Sequence, residues 1–214
     1  DQDFSDDDLA INKSLFLMAE SNQVTLNSFT INGAGAQADL INNFFLEEDL
    51  SLTNGFLNSD NFNRLILLPG CNVIGGSSLS FITGTLYAQI ASSGSSVVGF
   101  PVGANGKYRN VSLNIDQATT DTVTYGLEMT TALQGSPSIP GSIEWLLDDH
   151  FWTFSSSSPA NLNTVIATLS YDAPDGVFDP ANLRMAFLES GSNSINDIGG
   201  TGDNAITGQI TGNP

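Results

Sequence analysis

The apolar residues of this chain come in short runs that alternate with polar ones, and turn dipeptides break those runs at a nearly fixed interval. Leu9, Ile11, Leu15 and Leu17 are spaced by two around an intervening Lys13, followed by Val24 and Leu26, then Phe29 and Ile31. A period of two in Val, Ile, Leu, Thr and Phe is the signature of half-buried strands. Asn32-Gly33, Asn54-Gly55 and Gly75-Gly76 follow one another at intervals of about 21 or 22 residues. Each is flanked by apolar groups such as Phe29-Thr30-Ile31, Leu50-Ser51-Leu52 and Leu65-Ile66-Leu67-Leu68. That interval lies in the range of coiled solenoids, while Asn-Gly is also the strongest hairpin-turn signal. Residues 1–95 are therefore expected to form either a β-solenoid-like stack or a meander of hairpins.

Ala91 to Ser96 is a small polar stretch that reads as a junction. Beyond it, Val97 to Val102, Tyr108 to Ile115, Val123 to Leu127, Phe151 to Phe154, Val165 to Leu169 and Arg184 to Leu188 read as strands separated by turn signals. Short strands at such spacing describe a β-sandwich. The expected fold is all-β: a β-sandwich over 96–214, preceded by the solenoid-like or meander region over 1–95.

The side-chain inventory restricts function. The chain carries 5 Lys+Arg, 1 His and 1 Cys against 23 Asp+Glu, for a net charge of −18. Binding of DNA or RNA requires clustered basic residues, and Lys13, Arg64, Lys107, Arg109 and Arg184 are scattered apart from the pair Lys107 and Arg109. Nucleic acid and anionic membranes are thus poor partners, and divalent cations suit the charge. No apolar run approaches the ~18 residues of a membrane span. Charged residues make up 13% of the chain, about half the usual ~25%, so its surface is mostly neutral Ser, Thr, Asn and Gln. This composition suggests an extracellular or cell-surface protein, and a start at Asp1 without Met is what a processed mature chain would show. The acidic run Asp1 to Asp8 reads as a solvated terminus, with a cation site or a contacting arm as the alternative.

Few residues stand out chemically. Cys71 has no basic neighbour in Leu68-Pro-Gly-Cys71-Asn-Val-Ile74 to activate it and reads as a buried small hydrophobe. His150 follows Asp148 and Asp149, yet no Gly-x-Ser-x-Gly elbow supplies a nucleophile, so it reads as a structural or strand-end histidine. Asp172, Asp175 and Asp179 place three carboxylates in one turn, which suits calcium or simple turn capping. Glu47-Glu48-Asp49 lacks the spatial information a glycosidase pair would need. Trp145 and Trp152, with Phe151 and Phe154, would serve as a sugar-stacking platform or as core packing. With no catalytic set in view, the chain is expected not to be an enzyme.

Two stretches carry a resemblance. Phe100-Pro101-Val102-Gly103 with Tyr108 to Leu113 is one. The other runs from Trp152 through Ala167 to Asp172, Asp175-Gly176, Asp179-Pro180 and Leu183-Arg184, with Ile198-Gly199 and Ile206-Thr207-Gly208 closing it. Together they resemble the large secreted surface proteins of gliding and other Bacteroidota that are exported by the type IX route. The resemblance implies an adhesin, a surface fibre or a non-catalytic part of a secreted protein, and calcium at the Asp172, Asp175 and Asp179 turn is the one cofactor the sequence offers. Its partners would be copies of itself, other surface modules or glycans. The familiar aromatic before Ile-Gly-Gly is replaced by Asn196-Asp197, and the family continues past the final Thr-Gly. These departures leave the closure of the last sheet open, and an edge left unpaired there would accept a strand from another molecule.

Overall fold

The computed structural model describes residues 9–11, 13, 15–17, 23–133, 135–144, 146–147, 149–203, 205 and 207–213. The acidic run over 1–8 and Trp145 lie outside the described residues.

The alternating runs become strands that stack in parallel. The first coil is β1 (Leu9–Ile11) and β2 (Leu15–Leu17); β3 (Gln23–Leu40) and β4 (Asn43–Asn58) each run through a whole coil. The next is divided into β5 (Leu65–Leu67), β6 (Asn72–Gly75) and β7 (Ser80–Thr83), and the last begins with β8 (Leu86–Ile90) and β9 (Gly94–Ala104). Three parallel ladders result. In the first, Leu26, Leu46, Leu67 and Ala88 stand in one column. In the second, Leu9, Phe29, Leu50 and Val73 do so. In the third, Leu15, Ala38, Leu57, Ile82 and Val102 do so. This is a β-solenoid-like stack of about 4 turns, with a coil spacing of about 20 residues, in the solenoid range.

Parallel pairing on both sides of Asn32-Gly33 and Asn54-Gly55 rules out hairpins there. These dipeptides are corners where a strand leaves the second ladder for the third, and the β3–β4 register jumps from Asn32↔Asn54 to Gln37↔Phe56. Gly75 is such a corner in the following coil. Its φ is +86°, and a Cβ would lie 2.3 Å from the Leu52 carbonyl oxygen, so only glycine fits.

Antiparallel strands then extend two of the ladders. On β8 lies β11 (Val123–Thr130), followed by β12 (Phe151–Ser156). On β9 lies β10 (Lys107–Gln117), followed by β13 (Leu162–Tyr171). β14 (Met185–Leu188) and β15 (Ile195–Gly199) form a separate two-stranded sheet. β16 (Thr201–Gly202) and β17 (Gly208–Thr211) close the large sheet beyond β13. Strands β10 to β13, β16 and β17 therefore extend the solenoid's own sheet, β14 and β15 stand apart from it, and the expected boundary at 95/96 falls inside β9.

One core runs through the stack. Leu26, Leu46, Leu50, Leu57, Ile82 and Leu86 are fully buried, and Phe100, Val111, Leu113, Ile115 and Tyr125 continue the same cluster into the antiparallel part. Tyr125 donates its hydroxyl hydrogen to Gln117 Oε1 at 3.0 Å. Gln117 Nε2 in turn donates to the Thr119 carbonyl at 2.9 Å, so this polar pair is satisfied inside the core. A smaller cluster of Tyr171, Val177, Met185 and Ile210 lies under the C-terminal strands.

Candidate functional site

Two features stand apart from ordinary packing. The first is a buried charge cluster built on β10. Arg109 shares a face with Val111, Leu113 and Ile115, so the alternation that buries those residues buries its guanidinium too. The short 3-10 helix Ala173–Asp175 brings a carboxylate to meet it. Arg109 Nε donates to Asp175 Oδ2 at 2.7 Å, Nη2 donates to Asp175 Oδ1, and Nη1 donates to the Tyr108 carbonyl at 2.6 Å. The Asp175 side chain is fully buried and also accepts the Asp172 backbone N–H at 2.7 Å. Such a two-pronged pair is the arrangement in which arginine holds a carboxylate best.

His150 stands beside this pair. Its Nδ1 lies 3.4 Å from Asp149 Oδ2 and 3.9 Å from Asp175 Oδ1, and its ring stands at 89° to that of Trp152 with centroids 4.8 Å apart. Asp149 in turn pairs with Lys107. Burial holds the His150 imidazole below its ordinary pKa, against the upward pull of Asp175 and Asp149. The Lys107 hydrogen bond holds Asp149 below the usual carboxylate range. The cluster thus contains two cations, two anions and an imidazole that burial favours as neutral.

Asp149, His150 and Asp175 bring their ligand atoms within 4.8 Å of one another, the geometry of a possible metal set. Both Asp175 oxygens are already committed to Arg109, whose positive charge would face any cation placed there. The arrangement instead serves as a lock that ties β10, the segment leading into β12, and the 172–176 turn together.

The carboxylates singled out from sequence are placed as follows. Asp172 caps the 3-10 helix: its Oδ1 accepts the Ala173 N–H and the Thr207 hydroxyl, each at 2.8 Å, and the Thr207 bond holds its pKa low. Asp175 closes the capping box and pairs with Arg109. Asp179 Oδ2 accepts from Asn182 Nδ2 at 2.9 Å. Asp172 and Asp175 meet in one turn, and the ligand group that contains Asp175 is completed by Asp149 and His150, without Asp179. Trp152 is half-buried and packs on the main core; its Nε1 has no hydrogen-bond partner among the described residues.

The second feature is a cleft of about 400 Å³ lined by residues 67–73, by the end of β8 with the turn after it, and by residues 96–99 of β9. Leu67, Cys71, Val73, Ile90, Val98 and Gly99 are among its lining residues, and no charged side chain lines it. Burial pushes the Cys71 thiol up to about 11, with Asp49 adding in the same direction, so the sulfur is an inert wall atom at neutral pH. Nothing in the local sequence marks this cleft, because its walls come from three separate segments, 67–73, 88–92 and 96–99.

No family model matches the sequence, and neither a curated protein nor a solved structure matches it.

Proposed function

We propose that the chain is a non-enzymatic structural module of a cell-surface fibre or adhesin that joins neighbouring modules through strand edges. The observation that carries this reading is the second ladder. Among the described residues it begins at β1 and ends at β6, each paired on one side only. An unpaired strand presents a row of N–H and C=O groups that accepts another strand readily. The polar surface supports an extracellular setting, as does the resemblance to type IX-exported surface proteins. The buried titratable groups Arg109, Asp175 and His150 are engaged with one another, which favours a mechanical role over turnover.

Sedimentation velocity over a range of concentrations, with negative-stain imaging, tests the proposal. Association should grow with concentration and with added salt, which screens the charge of −18. It should weaken in Ile74→Lys, which places a charge on the exposed flank of β6. A chain that stays monomeric at every concentration and salt level would refute it.

A further inference from the structure

We infer that Lys107 and Asp149 condense into an intramolecular amide, with His150 carrying a proton and water as the leaving group. This goes beyond the structural role proposed above and does not depend on it.

Chemistry singles out this pair. Among the described residues, Lys107–Asp149, Arg109–Asp175 and Arg184–Asp197 join a lysine or arginine to a carboxylate. A guanidinium keeps its proton in proteins and is no nucleophile. An ammonium that gives up a proton becomes an amine able to attack a carboxyl carbon. Of the three pairs, only the first can become a covalent bond.

The surroundings supply the rest. Lys107 opens β10 directly after the Asn105-Gly106 turn, and Asp149 stands just ahead of β12. Lys107 Nζ and His150 Nδ1 approach the same atom, Asp149 Oδ2, the imidazole at 3.4 Å. That oxygen is the one a condensation must expel, and it needs two protons to leave as water. His150 is buried against the perpendicular ring of Trp152. Burial favours its neutral form, which can take a proton from one atom and hand it to another. The Lys107 and Asp149 side chains are 33% and 34% exposed, so the released water has a way out.

One proton of the ammonium passes to Asp149 Oδ2 across their contact, leaving an amine and a carboxylic acid. The Nζ lone pair then attacks Cγ and the C–N bond forms. A second proton moves from the nitrogen to Oδ2 through His150. The Cγ–Oδ2 bond breaks, its electron pair stays on the oxygen, and water departs. An ammonium and a carboxylate thereby become one amide and one water, with both charges cancelled and no oxidant, reductant or cofactor consumed. Well-oriented groups within one molecule reach effective concentrations of roughly 10⁵–10⁸ M, which favours a condensation that the free groups do not undergo in water. The amide would bind the β9–β10 hairpin covalently to the segment that leads into β12.

Intact-mass spectrometry of the full chain tests the inference. The folded protein should weigh less than its sequence by one water, and peptide mapping should find a branched peptide that joins Lys107 to Asp149. Lys107→Arg keeps the ion pair and should show the full mass, as should Asp149→Ala. In a time course after cell-free synthesis, His150→Gln should slow the loss of water at least ~10-fold. A folded chain at the full mass of its sequence overturns the inference. So does a loss of water that persists in Lys107→Arg, or one that maps to Asp175-Gly176, where closure of an aspartyl-glycine succinimide would release the same mass. An unchanged rate in His150→Gln overturns the part given to the imidazole.

Discussion

Replacing Arg109 by methionine tests the buried lock most directly. The substitution keeps much of the side-chain volume and removes the guanidinium. Asp175, fully buried, would keep the Asp172 N–H at 2.7 Å and lose both charged donors from Arg109. Breaking a buried pair by deleting one partner costs about 3–5 kcal/mol, because the other charge is left uncompensated. For a chain of this size each kcal/mol moves Tm by about 2–4 °C, so Arg109→Met should lower Tm by roughly 6–20 °C. Circular dichroism melts at neutral pH, with urea titrations for the free energy, read the effect. The double variant Arg109→Met, Asp175→Leu supplies the discriminating comparison. With both charges gone, most of the lost stability should return, since apolar replacement of a whole buried pair is often neutral. A single variant that loses less than about 1 kcal/mol, well short of that range, would refute the reasoning. So would a double variant no more stable than the single one.

Three further outcomes follow from the geometry. His150 has a folded-state pKa below its ordinary 6.5, chiefly through burial. The unfolded chain therefore binds the proton more readily, and stability should be full above about pH 6.5 and decline as pH falls below it; urea titrations at pH 8 and pH 5.5 should show this decline, and His150→Gln should flatten it. Gly75→Ala should destabilise by more than ~1 kcal/mol, because φ is +86° and the new Cβ would meet the Leu52 carbonyl, whereas Gly99→Ala should be near neutral, and paired thermal melts separate the two. Leu50→Ala, at a fully buried core position, should cost about 2–5 kcal/mol in the same melts.

The strands were legible in the sequence where alternation is strong. Phe29-Thr30-Ile31 and Leu50-Ser51-Leu52 are rungs in the structure, and the interval between the Asn-Gly marks is close to the coil length. The choice between hairpin and corner was not legible. Both are served by glycine, as at Gly55 and Gly75 with φ of +112° and +86°, and the deciding partner lies a full coil away. The buried cluster was half legible. Asp175 was visible only as a turn carboxylate, since its partner Arg109 is 66 residues distant. Arg109 itself carried a signal: it falls in phase with Val111, Leu113 and Ile115, and an arginine on an inward face implies a buried counter-charge. His150 showed its neighbours Asp149 and Trp152 in the sequence, but Asp175, the other carboxylate beside it, comes from the 172–176 turn. The cleft was invisible for a different reason. It is walled by residues 67–73, 88–92 and 96–99 together, and no single run of residues marks such a meeting.

The stacking of each coil on the one before it has a consequence for how the protein is made. In such an array stability is largely a sum of nearest-neighbour terms, so each new turn can zip onto a finished template while later residues are still being synthesised. The Arg109–Asp175 clasp and the β13–β17 pairing must wait for the last third of the polypeptide. Truncated or stalled chains should therefore hold completed coils under an unfinished lid.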